Sequence, residues 1–182
     1  DRMVSHSRPG ARSSRQSSRT LPDFCRLEPR QLLAGLPSLI DIVAGATGTS
    51  PTLFTNVNNS VFFTANNGTQ GVELWKSDGT AAGTVQVADI RSGAQSSSPA
   101  ALTNVNGTLF FQANDGSGGV ELWKSDGTAA GTVLVKDIRG GSASAYPQTL
   151  TNINGTLFFI ANDGANGQEL WKSDGTTAGT VL

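Results

Sequence analysis

The sequence predicts an all-β fold: tandem four-stranded antiparallel blades forming a partial, open β-propeller of about three blades, behind a disordered N-terminal tail. Three observations carry that prediction. Trp75, Trp123 and Trp171 are the only tryptophans, and they fall 48 residues apart. Each lies in the same string, Glu-Leu-Trp-Lys-Ser-Asp-Gly-Thr, followed by two small residues and a Gly-Thr pair. Each repeat carries four short apolar segments, one of them in the string itself, separated by Gly, Asn, Asp and Ser, the residues that make tight turns.

The period divides the chain into a basic tail, residues 1–36, and three repeats at 37–84, 85–132 and 133–180. The second and third repeats share 33 of 48 positions without a gap. Units so alike meet nearly the same surroundings, as stacked or radially arranged units do. A parallel β-helix uses shorter coils, and no 3.6-residue helical period is present.

The second repeat shows each strand in turn. The first is 101–105, leading into Asn106-Gly107, a pair that accepts the two positive φ angles of a type I′ hairpin turn. The second, 108–113, carries Leu109, Phe111 and Ala113 on one face and Phe110 and Gln112 on the other. In the third repeat Ile160 replaces Gln112, so both faces are largely apolar, which predicts a strand covered on both sides. Asn114-Asp115-Gly116 turns the chain into the third strand, 120–124. Ser125 to Thr128 then leads to the fourth, 132–138. A Gly- and Ser-rich loop, 139–145, follows, and Pro147 opens the next unit.

The repeat phase places the start of the chain on a fourth strand, 38–42, because Asp41-Ile42 matches Asp89-Ile90 and Asp137-Ile138. The chain stops at Val181-Leu182, partway into another fourth strand, and is expected to be a fragment of something longer. Three blades are fewer than the four to eight of a closed propeller, so an unfilled face at each end should drive oligomerisation or aggregation.

Residues 1–36 hold seven arginines against Asp1, Asp23 and Glu28, a balance of +4, and the rest of the chain sums to −5. The first 20 residues bury too little apolar surface to order themselves. A mildly acidic body lacks the clustered Lys and Arg that neutralise phosphate, which argues against a nucleic-acid partner. No run of 18 apolar residues is present, so no membrane-spanning helix is expected. Cys25 is the single cysteine, which excludes an intramolecular disulfide.

Two strings carry resemblances. Residues 27–33, Leu-Glu-Pro-Arg-Gln-Leu-Leu, resemble the LEPR-XLL segment of large bacterial surface and secreted proteins. That resemblance implies export. The strings at 73–80, 121–128 and 169–176 resemble the bacterial ELWxxDGT repeat. This implies a propeller-like fold in long, secreted or cell-surface proteins, with no catalytic residue and no agreed ligand. The strand order also resembles kelch-type blades, without their double glycine.

Chemistry-bearing residues are few. His6, the one histidine, sits in the tail, so no His-centred triad is available to the repeats, and Cys25 reads as an inert thiol. Glu121 and Asp126 suggest a glycosidase-like acid/base pair, but Glu73/Asp78 and Glu169/Asp174 repeat it, and an active site needs one asymmetric constellation. Glu121 shares a strand face with Trp123 and is expected to pair with a base such as Arg139 or to accept backbone donors. Asn114-Asp115-Gly116 and Asn162-Asp163-Gly164 offer oxygens to calcium, whereas Asn66-Asn67-Gly68 lacks the carboxylate, and Asx turns explain all three. Loops 91–99 and 139–147, the latter holding the only tyrosine, Tyr146, vary most between repeats and suit ligand diversity.

The sequence therefore predicts no catalytic, cofactor or metal-binding residue. The expected function is that of a non-catalytic module of an exported bacterial protein, a scaffold or an adhesion surface for protein, carbohydrate or further repeats of the same chain. The alternative is an accessory propeller of a larger secreted carbohydrate-active or hydrolytic enzyme whose catalytic domain lies elsewhere.

Overall fold

Strand propensity and turn chemistry agree along the whole repeat region, and the result is three antiparallel sheets. The computed structural model describes Ile42 and residues 49–182; the tail, the 27–33 segment and most of the 38–42 strand lie outside the described residues. The first sheet comprises β1 (Thr52–Val57), β2 (Ser60–Asn66), β3 (Val72–Ser77) and β4 (Val85–Ala88), in that spatial order. The second repeats it with β5 (Ala100–Val105), β6 (Thr108–Asn114), β7 (Val120–Ser125) and β8 (Val133–Lys136). The third holds β9 (Gln148–Ile153), β10 (Thr156–Asn162) and β11 (Gln168–Ser173). A single pairing, Lys172 with Val181, marks where its fourth strand begins. The described residues contain no helix, and the arrangement is an open propeller of three blades.

The hairpin reading holds in detail. Asn106 and Gly107 have φ of 51° and 83°, and Val105 pairs with Thr108 across them. Asn58-Asn59 makes the same turn in the first blade with φ of 48° and 62°, because Asn also tolerates the left-handed region.

Strand four is shorter than the 132–138 expected. The Thr132 hydroxyl donates to the Thr128 carbonyl and bonds the Ser125 hydroxyl, and the Ile138 N–H leaves the ladder for the Glu121 carboxylate, so pairing stops at Lys136. Strand one differs as well. Leu53, Ala101 and Thr149 adopt φ of 59°, 55° and 54° where the register with strand two breaks. This bulge bends the strand. Thr55 and Thr103 hydroxyls then reach the Leu102 and Leu150 carbonyls of the next blade, at 3.3 and 3.1 Å. Side-chain amides join the same strands, Asn104 Nδ2 to the Asn56 carbonyl at 2.8 Å and Asn152 Nδ2 to the Asn104 carbonyl at 3.1 Å.

The core lies between sheets. Leu109, Phe111 and Ala113 pack on Val57, Phe62, Leu74 and Val87 of the first blade, with Trp123 at the margin. Phe110, Leu122 and Val135 on the opposite face meet Leu157, Phe159, Ala161 and Trp171 of the third. The middle sheet is thus covered on both faces. The strand whose pattern predicted such cover, β10, is not: Leu157, Phe159 and Ala161 are buried, but Phe158 and Ile160 on its other face are only half-buried, because no described sheet lies against them.

Candidate functional site

The recurring string sits on strand three and the turn after it, and the structure gives each of its residues a task. Glu121 is 1% exposed and Glu73 0%. Burying a carboxylate is costly unless donors surround it. Glu121 accepts the N–H of Ile138 at 2.8 Å and of Ala145 at 2.9 Å, two points on the loop leading to the third blade. Glu73 accepts the N–H groups of Ile90 (3.1 Å) and Ser97 (2.7 Å) and the Ser97 hydroxyl. Of the two roles open to Glu121, it takes backbone donors. Arg139 instead lies over the next blade's turn, its Nε 3.1 Å from where a Cβ at Gly164 would stand, as Arg91 does at Gly116.

Burial pushes the Glu121 carboxyl up to about 7, with Asp137 adding to the rise against the pull of the Ile138 and Ala145 amides. Burial likewise raises Glu73, opposed by the Ser97 and Ile90 donors. Glu169, on the third blade, stands exposed.

Leu122 fills the core toward the third blade while Trp123 faces the first, so adjacent letters of the string glue opposite neighbours. The indole N–H groups of Trp75, Trp123 and Trp171 are buried with no hydrogen-bond partner among the described residues, although a buried indole usually finds one. Lys124 Nζ reaches the Gly175 carbonyl of the following blade at 2.8 Å. The Ser125 hydroxyl accepts the Gly127 N–H at 3.0 Å and bonds the Thr132 hydroxyl at 2.8 Å.

Asp126 Oδ1 accepts the Thr128 N–H (2.8 Å) and hydroxyl (2.7 Å), and those two bonds hold its pKa below the usual carboxylate range. Gly127, at φ 90°, presses on the preceding blade: a Cβ there would lie 3.1 Å from Phe62 Cζ. A Cβ at Gly131 would collide with the Asp126 carboxylate. The whole string is therefore blade-building machinery.

Sequence-predicted chemistry fares accordingly. Glu121 is the second residue of strand three and Asp126 follows its end, so five residues of extended chain set their backbones about 16 Å apart. Glycosidase carboxylates stand roughly 5–10 Å apart, so the structure does not bring this pair together. At the candidate calcium turns, Asp115 Oδ1 accepts the N–H groups of Ser117 and Gly118, both at 2.8 Å, and Oδ2 the Ser117 hydroxyl. Asp163 does the same with Ala165 and Asn166. Asn67 Oδ1 makes that turn with Thr69 and Gln70, using a neutral amide. Charge is not what the turn requires.

His6 and Cys25 lie outside the described residues. Within the two variable loops Ser97, Pro99, Ala145 and Pro147 are buried, while 92–95, 140–142 and Tyr146, 58% exposed, face solvent. Sequence reasoning allowed Glu121 backbone donors without placing them on the incoming loop, and it gave Glu73 no such role. Its one available signal was the fixed distance of 17 residues from Glu73 and Glu121 to the Ile of an Asp-Ile pair. The chain matches no protein-family model, no curated protein and no solved structure.

Proposed function

We propose that this chain is a non-catalytic repeat module of an exported bacterial protein, a scaffold that presents an adhesion or interaction surface to protein or carbohydrate. One observation carries the reading: the eight residues kept identical in all three repeats serve turns and contacts between blades, while loops 91–99 and 139–147 differ at five of nine positions against ten of the other 39. A rigid repeated frame with variable loops is how binding surfaces are diversified. The resemblance of residues 27–33 to LEPR-XLL, and of the strings to the ELWxxDGT repeat, supports export.

The test immobilises the full chain and probes it with cell-surface polysaccharides and proteins, alongside chromogenic glycoside and ester substrates. Expected is saturable binding that weakens about tenfold or more in Tyr146→Ala while the circular dichroism spectrum stays unchanged. Turnover by the purified chain that disappears in Glu121→Gln would overturn the reading.

A further inference from the structure

Each sheet is an antiparallel meander, so its successive turns leave from alternate ends. The hairpins between strands one and two share an end with the Ser-Asp-Gly-Thr turns, and loops 91–99 and 139–147 emerge at the other. On the hairpin end, between the second and third blades, lies a cavity of about 160 Å³. Asn106, Thr108, Phe110 and Lys124 line it from the second blade, and Gly155 and Asp174 from the third. Asn106 and Asp174 are exposed, and Lys124 is half-buried.

The cavity belongs to the repeat. Counted back by 48, every residue lining it recurs unchanged except Thr108, whose counterpart Ser60 keeps the hydroxyl. The close approaches recur too. A Cβ on Gly155 would stand 2.5 Å from Asn106 Nδ2, and one on Gly107 2.8 Å from Asn58 Nδ2. A Cβ on Gly175 would meet Phe110 Cζ at 3.0 Å, as one on Gly127 meets Phe62 Cζ at 3.1 Å. Glycine at these points lets two blades close around the space without filling it.

The fold does not use up the polar groups here. Lys124 Nζ donates one N–H to the Gly175 carbonyl at 2.8 Å, which leaves two. Asn106 Nδ2 reaches the Gly155 carbonyl only at 3.4 Å, against 2.9 Å for Asn58 and Gly107. Asp174 Oδ1 takes the Thr176 hydroxyl and N–H, and Oδ2 takes no donor among the described residues. The Thr108 hydroxyl and Asn106 Oδ1 are likewise without a partner among them.

Charge and size then select the ligand. A phosphate gains from Lys124 but is repelled by Asp174, and a metal ion meets the reverse. A neutral molecule rich in hydroxyls suits both groups, because each hydroxyl donates and accepts. The volume is well below the roughly 300–1,000 Å³ of sites for drug-sized molecules, so one ring enters and a longer chain does not.

We propose that this cavity binds one neutral sugar ring, its hydroxyls engaged by Asn106, Thr108, Lys124 and Asp174, and that Asn58, Ser60, Lys76 and Asp126 form the same subsite one repeat earlier. Two subsites one blade apart grip a glycan of repeating units more tightly than either alone. The site is separate from the variable loops, so Tyr146→Ala leaves it intact and either assignment can fail without the other.

The test is an NMR titration of the full chain with free glucose, galactose, mannose and N-acetylglucosamine, and with inorganic phosphate and calcium as charged probes. Expected is saturable binding of at least one sugar at a millimolar Kd, with shifts confined to the hairpin end of the two blade interfaces. No saturation by roughly 0.1 M of any sugar, shifts confined to the loop end, or binding of the charged probes alone refutes the site.

Thr108→Val keeps the shape and strand preference of the residue and removes its hydroxyl, and Lys124→Met keeps the stem and removes the charge. Each should weaken the subsite between the second and third blades about fivefold or more. The shifts between the first and second blades should stay as in the parent. Thr108→Val decides the matter if Lys124→Met melts early, and unchanged affinity in Thr108→Val with the parent's melting midpoint overturns the assignment.

Discussion

Leu122 and Leu170 occupy the same place in the same eight-residue string, yet one is 0% and the other 63% exposed. The residues around them in sequence are nearly identical, so local chemistry cannot explain the difference. A neighbouring sheet does. The third blade covers Leu122 with Leu157, Phe159 and Trp171, while Leu170 looks outward beside Phe158 and Leu182. Burial in a repeat protein belongs to the interface between units, and each unit's stability is mostly lent by those beside it.

The largest expected effect comes from the tryptophan that faces the first interface. Trp123→Ala should cost about 3–5 kcal/mol in denaturant unfolding, because the ring backs the Phe62–Leu109–Phe111 core. A loss below about 1 kcal/mol would place the ring outside the cooperative core and weaken the comparison at its root.

The sharpest version compares the two leucines directly. Leu122→Ala should cost about 2–5 kcal/mol through the cavity it leaves. Leu170→Ala, measured at dilutions where the chain is monomeric, should stay within about 0.5 kcal/mol of the parent. Equal losses would mean that Leu170 is covered within the single chain.

The buried glutamates give the comparison a pH axis. The Glu121 carboxyl rises to about 7 in the folded chain, against about 4.3 for an unfolded Glu. A folded pKa above the unfolded one means the folded state holds the proton more tightly. The stability this contributes is fully present below about pH 4.3 and is lost as pH rises through 7. Glu73, also raised, acts in the same direction. Melting followed from pH 4 to 8 should therefore show a decline that flattens above neutrality, and Glu121→Gln should remove the part due to this group. An unaltered profile in that variant would assign the decline elsewhere.

How much of this was legible follows from how far each contact reaches along the chain. The hairpins were readable because Asn106-Gly107 and the alternation around it are local signals, and the four-strand unit followed from them. The left-handed residue in strand one was not, since Leu53, Ala101 and Thr149 share no side-chain signature for positive φ. The loop anchors were hidden for a related reason. Glu121 takes its donors from residues 17 and 24 positions away, and backbone amides carry no letter in a sequence. The sequence offered Glu121 a base or backbone donors, and only the position of the incoming loop decides between them.

The smallest predicted effect separates charge from shape at the turns. Asp115 resists burial of its charge, yet the Gly118 and Ser117 donors more than offset this and hold its pKa below the usual carboxylate range. Those donors already engage both of its oxygens. Asn67 builds the same turn in the first blade with one amide oxygen. Asp115→Asn should therefore keep the fold and move the melting midpoint by less than about 2 °C. Melting in millimolar calcium and in a chelator should coincide for both proteins. A calcium-dependent rise that Asp115→Asn abolishes would make the second and third blades functionally unlike the first, with the carboxylate serving an ion where Asn67 serves only a turn.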